Sequence, residues 1–122
     1  MDLVLITPDY YEFVRELRMH PETKSGFLEE ATITPEQQIK YMKRHQYNYY
    51  ICLLYGSPVG YIGVIDNDIR FCTDPDFQSM GVGSFMLSKI RKLYPDATGK
   101  ILKENRSSQR AFDKCGIDYK II

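Results

Sequence analysis

The sequence carries no excess of either charge: 16 lysines and arginines stand against 16 aspartates and glutamates. Without a basic surplus, attraction to nucleic acid or to an anionic membrane has no overall basis. No apolar run approaches the roughly 20 residues needed to span a bilayer, and the N-terminus lacks a basic-then-apolar signal pattern. Cysteine is scarce and odd in number: Cys52, Cys72 and Cys115 show neither metal-ligand nor redox spacing, which argues against a metal site and a disulfide framework. Cys52 and Cys72 fall within strand-like runs and read as buried, inert thiols. Internal repeats, low-complexity tracts and linkers are also missing. The expectation is one domain over residues 1–122, cytoplasmic, with no nucleic-acid, membrane or metal partner.

What is present is concentrated in Asp68-Ile-Arg-Phe-Cys-Thr-Asp-Pro-Asp-Phe-Gln78-Ser-Met-Gly81-Val-Gly83. A strand-like run, Ile69 to Thr73, breaks at Pro75, and a Gln-x-x-Gly-x-Gly turn then opens into an amphipathic helix. Glycines at a helix start allow close backbone approach, and the unpaired N–H groups of the first turn point outward. With the positive end of the helix dipole they form a ready site for phosphate or pyrophosphate. No Lys-Ser/Thr follows the second glycine, so this is not a P-loop. No third glycine completes a dinucleotide fingerprint either. An ordinary glycine-initiated helix is the bland alternative.

The remaining pattern predicts the order βααβββαβαβ. Met1–Ile6 reads as a strand, and Thr7-Pro8 caps a helix with Tyr10, Phe13, Val14 and Leu17 on one face. That helix ends near His20-Pro21. Glu22–Ile33, containing Gly26, Phe27 and Leu28 without a clear period, reads as a loop. Thr34-Pro35-Glu36-Gln37 is a capping box that starts a second helix with Ile39 and Met42 inward. Tyr49–Tyr55 and Val59–Ile65 form a hairpin about Gly56-Ser57-Pro58, and Asp66-Asn67-Asp68 turns into the antiparallel run Ile69–Thr73. Val82, Phe85, Met86, Ile90 and Leu93 mark a helix face. Strand Thr98–Leu102, helix 107–115 and strand 117–122 complete a mixed α/β layered domain.

Further motifs sit downstream of the turn. Asn105-Arg-Ser-Ser108-Gln-Arg-Ala111-Phe112-Asp-Lys114-Cys-Gly116-Ile117 follows the expected strand at Thr98–Leu102. These segments, in this order and spacing, resemble the GNAT family of N-acetyltransferases. Its acyl-CoA loop is (Gln/Arg)-x-x-Gly-x-(Gly/Ala), and it carries Asn-x-x-(Ala/Ser), an aromatic, Lys or Arg and Gly-Phe farther on. The likeness covers residues 48–117 well and the first 47 loosely. It implies a mixed, mostly antiparallel central sheet flanked by helices, shortened at the C-terminus. The family normally adds one more strand after the last one here. With the chain stopping at Ile122, a sheet edge is left open or completed by a second copy, and a homodimer through that C-terminal edge is expected.

The resemblance also implies a chemistry: acetyl transfer from acetyl-CoA to a primary amine by direct attack in a ternary complex, without a metal. Backbone groups of Met80, Gly81, Val82, Gly83 and Ser84 hold the cofactor phosphates, with Gln78 and Ser79 shaping the turn. Phe71, Cys72 and Thr73 supply main-chain partners to the pantetheine arm, and a backbone N–H on that strand serves as the oxyanion donor. Asn105 binds the pantetheine end and Ser108 lies near the phosphates, although either is equally a helix N-cap. Asp68 stands where some members place a catalytic glutamate and can take the amine's proton directly or through water; it is also explained as a turn residue. Asp66 is a weaker candidate on the same logic. The family's usual general acid is a tyrosine seven residues after the asparagine, a position held here by Phe112. Phe112 cannot protonate a departing thiolate, which leaves solvent, no assistance or another group such as Cys115 or Tyr119.

The acceptor is read from the first two helices. Leu17-Arg18-Met19-His20-Pro21-Glu22-Thr23 and the helix from Pro35 loosely resemble the subgroup that acetylates nucleotide-linked amino sugars, with Gln38 where that subgroup often has histidine. Arg18 and His20 are candidate contacts to a phosphate or carboxylate, or simply helix C-terminal residues favoured by the dipole. Tyr47, Tyr49 and Tyr50 offer a candidate stacking surface. Deprotonating a lysine at pH 7 costs about 4.6 kcal/mol, an α-amine only about 1 kcal/mol. An amino sugar or a peptide N-terminus therefore ranks above a protein lysine, with a small amine such as an amino sugar as the expected acceptor and a protein N-terminal or lysine acetyltransferase as an alternative. A CoA-binding module or sensor without catalysis is the alternative that Phe112 favours.

Overall fold

A computed structural model describes residues 1–23 and 32–122; the expected loop around Gly26, Phe27 and Leu28 lies outside the described residues. Strand β1 (Asp2–Leu5) leads through a single 3-10 turn into helix α1 (Tyr11–Met19). Thr7 has the extended backbone of a cap, but its hydroxyl makes no capping bond. Pro8 instead closes a tight turn in which Tyr10 N–H donates to Thr7 O at 3.0 Å, so the helix starts later than the sequence suggests. It stops at His20, held extended before Pro21 (φ −65°, ψ 132°), because the α region is disfavoured there.

Helix α2 (Pro35–His45) begins with both bonds of the expected capping box: Gln37 N–H to Thr34 Oγ1 (3.2 Å) and Thr34 N–H to Gln37 Oε1 (3.0 Å). Its inward face differs from expectation. Ile39 is 44% exposed, whereas Gln38 and Met42 are buried. Gln38 tolerates burial because its side-chain amide donates to the Tyr11 carbonyl at 3.2 Å.

Strands β2 (Tyr49–Leu54), β3 (Ser57–Ile65) and β4 (Asp68–Thr73) follow as two hairpins. Their turn residues are Tyr55-Gly56 (φ 50° and 80°) and Asp66-Asn67 (φ 52° and 62°), the mirror-image turns whose twist matches paired strands. Two turn assignments therefore shift. Ser57 and Pro58 belong to β3, with Pro58 accommodated opposite Leu53 beside a register shift at Cys52/Leu53. Asp68 is the first residue of β4 rather than part of the turn. The antiparallel sheet runs β1-β2-β3-β4.

Helix α3 (Val82–Leu93), strand β5 (Gly99–Ile101), helix α4 (Arg106–Cys115) and strand β6 (Tyr119–Ile121) complete the chain, with β5 and β6 paired in parallel. This is the mixed, mostly antiparallel α/β architecture the sequence implied. Two apolar clusters cover the two faces of the sheet. Ile62, Val64 and Ile69 pack with Met86, Leu87 and Ile90 of α3 and with Phe112 of α4. Ile51, Tyr61 and Cys72 pack with Val14 and Leu17 of α1 and Met42 of α2. Each large apolar side chain buried in this way contributes about 1.5–3 kcal/mol, and the sheet becomes the middle of three layers.

Candidate functional site

The site is built where β4 and β5 part. Ile69 N–H donates to Thr98 O at 2.9 Å and Thr98 N–H to Asn67 O at 2.8 Å, a single parallel bridge between Asp68 and Thr98. Beyond it β5 pairs with β6 instead. On the other edge of β4, Asp74 N–H donates to Val59 O at 2.8 Å. Strand alternation then aims the peptide groups of Arg70 and Cys72 at β3 and those of Phe71 and Thr73 into the gap. The main chains of Phe71 and Thr73 thus face the gap, whereas that of Cys72 opposes Tyr61 in the ladder. A period of two separates neighbours that a motif treats as one unit.

Burial pushes the Cys72 thiol up to about 12. In the unfolded chain a thiol titrates near 8.5, so the native state holds the proton longer. Stability present below about pH 8.5 is lost as pH rises toward 12. Between about pH 8.5 and 9.5, where unfolded tyrosines (ordinary pKa about 10) are still mostly protonated, the thiols dominate this loss. Denaturant titrations at about pH 8, 9 and 10 are expected to show Cys72→Ala removing a slope of roughly 1 kcal/mol per pH unit. An unchanged slope would mean the thiol is not desolvated.

At the far end of β4 the chain makes a short turn, Pro75–Phe77, capped by Asp74, whose Oδ1 accepts from Asp76 N–H at 3.0 Å. Ser79 (φ 65°) and Gly81 (φ 81°) then take left-handed conformations immediately before α3. No side chain caps this helix, and no acidic residue occupies its first turn. Phe85 N–H reaches back to Gly81 O at 3.0 Å, so the N–H groups of Val82, Gly83 and Ser84 have no intrahelical acceptor. Together with the dipole they make this end of α3 electropositive. Met80 is 54% exposed and does not line the cavity beside it.

That cavity, about 730 Å³, lies between Phe71–Thr73 of β4, Phe77–Ser79 of the turn, Gly81–Ser84 of α3 and one face of α4. Its size is typical of small-molecule sites. Asn105 and Ser108 both line it. Asn105 is the N-cap of α4: its Oδ1 accepts from Ser108 N–H and Ser107 Oγ, both at 3.3 Å. The capping reading therefore holds for Asn105 and fails for Ser108.

Other expected residues lie elsewhere. Phe112 is 1% exposed, wedged over Gly99 with ring centroids 5.7 Å from both Phe71 and Tyr119. Cys115 Sγ faces α3, 3.5 Å from Ser88 Oγ and Ser84 O, and Tyr119 donates its hydroxyl to Asp113 at 3.0 Å. None of these lines the cavity. Asp68 is at the closed end of the gap, with its carboxylate 3.6 Å from Arg70 Nε. Arg70 continues to Tyr41 OH (3.2 Å), which meets Tyr49 OH (2.8 Å). Arg18 belongs to this same face, its charge acting on Tyr49, Tyr61 and Cys72. His20 ends α1 and accepts Glu22 N–H on Nδ1 at 3.1 Å. The three tyrosines do not form one surface: Tyr47 is 73% exposed, Tyr49 is buried, and Tyr50 meets Tyr94.

Glu22, Thr23, Glu104, Ser107, Arg110, Ala111 and Lys114 line the cavity without having been proposed as site residues from the sequence. For the last four a signal existed, since a stripe of helical spacing follows the Asn105 cap. Among the described residues, no group of three or more His, Cys, Asp or Glu is placed to hold a metal ion. Likewise, no helix among them is long and apolar enough to cross a membrane.

A family profile described as the acetyltransferase (GNAT) family matches residues 11–117. No curated protein matches the sequence. Among solved structures, spermidine N-acetyltransferase from Vibrio cholerae, in complex with CoA and spermine, is similar with a TM-score of 0.81 at 12% identity, covering 94% of this chain and 79% of that one. Ribosomal-protein-alanine N-acetyltransferase from Brucella melitensis gives 0.74 at 12% identity, covering 95% and 83%. AAC(6')-Ib in complex with paromomycin and acetyl-CoA gives 0.72 at 18% identity, covering 93% and 80%. At these identities the likeness is one of fold.

Proposed function

Because the chain belongs to the acetyltransferase (GNAT) family, we propose that it transfers the acetyl group of acetyl-CoA to a small primary amine in a ternary complex. The observation that carries this reading is the start of α3. Its first N–H groups, free of intrahelical acceptors, open onto the cavity that the unpaired edge of β4 bounds. Phosphates need concentrated donors without a competing carboxylate, and this turn supplies both conditions. Acetyl-CoA brings the activated acetyl group as a thioester. The protein's part is to hold the phosphates at Gly81–Ser84 and lay the pantetheine arm along Phe71 and Thr73. One backbone N–H of that edge meets the carbonyl oxygen as it gains charge, an effect worth about 3–4 kcal/mol for a single such donor.

On the acceptor side the site is sparsely equipped. Asp68 receives the amine's proton through water from the α1–α2 side of β4, since its carboxylate does not line the cavity. Such an arrangement suits an amine that gives up its proton readily, as amino sugars do. The relatives named for spermidine and for ribosomal-protein alanine differ in acceptor on one fold, so the amine is set by side chains rather than by architecture.

A non-catalytic CoA-binding role is favoured by one observation, the buried Phe112, which brings no hydroxyl to the cavity. Thermal melts with acetyl-CoA, free CoA and ATP test the donor. At about 100 times its dissociation constant a ligand adds roughly 2.7 kcal/mol, raising the midpoint on the order of 10 °C. A shift with acetyl-CoA but not ATP is expected; its absence at millimolar acetyl-CoA would overturn the reading. Release of free thiol on addition of amino-sugar nucleotides or peptides then separates enzyme from sensor.

A further inference from the structure

Two cations stand on the cavity wall, and among the described residues the carboxylates that share it, Glu22 and Glu104, pair with neither of them. Arg110 and Lys114 lie four positions apart on α4, and both line the cavity. Side chains at that spacing project from Cβ atoms about 5–6 Å apart, close enough to share one anion. Among the described residues, neither takes part in an ion pair or a hydrogen bond. The acid between them on the helix, Asp113, is turned away and accepts the Tyr119 hydroxyl at 3.0 Å. Across the cavity, Gly81–Ser84 offers backbone donors but no charged side chain. Lys89, farther along α3, rests its ammonium over the Phe85 ring at 5.6 Å.

The two walls therefore suit different anions. A pyrophosphate spreads its charge over oxygens that neutral N–H donors can surround. A phosphate monoester concentrates nearly two negative charges, with a second pKa near 6, and calls for side-chain cations. CoA carries both groups, the monoester on the 3′ oxygen of its ribose. We infer that Arg110 and Lys114 form the subsite for this 3′-phosphate and make the protein select CoA over 3′-dephospho-CoA. The inference rests on the donor reading above and adds to it a discrimination within that class of ligand.

Calorimetric titration of the full chain with CoA and with 3′-dephospho-CoA tests it. The native protein is expected to bind CoA on the order of 10- to 100-fold more tightly, with the preference shrinking as salt rises because both cations are exposed. The double substitution Arg110→Ala and Lys114→Ala should abolish the preference while leaving 3′-dephospho-CoA affinity within about twofold. Lys92→Ala, which removes an exposed charge away from the cavity, should leave the preference intact. Equal affinity of the native protein for both ligands, or a preference that survives the double substitution, overturns the subsite but leaves the donor reading standing. Failure to bind either ligand overturns both.

Discussion

Replacing Gly81 with valine is expected to eliminate the thermal shift produced by acetyl-CoA, weakening binding by at least about 100-fold. The position has open space around it, with no heavy atom within 4 Å of a Cβ, so the obstacle is conformational. Its φ of 81° lies in the left-handed region, which costs an ordinary residue about 1–2 kcal/mol and a β-branched one more. A valine relieves that strain by rotating the turn, which re-aims the N–H groups of Val82, Gly83 and Ser84. Each lost charge-assisted hydrogen bond to phosphate is worth about 1.5–3 kcal/mol. Gly83→Ala supplies the contrast. Its Cβ would rest 3.4 Å from Phe71 Cε2 and 3.8 Å from Thr73 Oγ1, close to ordinary contact, so most of the shift should survive. Melting curves of both variants with and without acetyl-CoA decide the matter; a normal shift in Gly81→Val would refute the backbone cradle.

Truncating Phe112 to alanine is expected to destabilise the fold by about 3–5 kcal/mol, lowering the melting midpoint by roughly 10–25 °C. The ring is 1% exposed and fills the angle between α4 and the β5–β6 pair. The absence of a side chain at residue 99 is what admits it: a Cβ there would stand 2.4 Å from Phe112 Cε2. Gly99→Ala should therefore be costly too, through overpacking rather than a void. The pair of variants separates packing from chemistry. If Phe112→Ala melts within about 3 °C of the native protein, the ring is not the wedge described, and a role in the cavity regains its place.

Much of the fold was legible because its signals are local. The Thr34/Gln37 cap, the alternation of β2 and β3, and left-handed turns at Gly56 and Asn67 each depend on a few adjacent residues. The misplacements have two causes. Thr7-Pro8 reads as a helix start, yet the chain closes a 3-10 turn first; Ile39 reads as inward, yet Gln38 takes the buried place because a carbonyl on α1 awaits its amide. The first is decided by a bond three residues away, Tyr10 N–H to Thr7 O, and the second by a partner outside the window of the pattern.

The candidate site divides along the same line. From the sequence alone came the glycine turn, the helix it opens and the cap at Asn105, since backbone conformation there follows from the residues themselves. Tertiary structure decided which side chains meet the cavity. Strand parity turned the Cys72 backbone toward β3 and left Phe71 and Thr73 on the free edge. The parting of β4 and β5 after one bridge left Asp68 at the closed end. The packing of α4 against α3 and β5 buried Phe112 while presenting Arg110 and Lys114. Facing is a relation between elements distant along the chain, and it is set only when their apolar faces find one another.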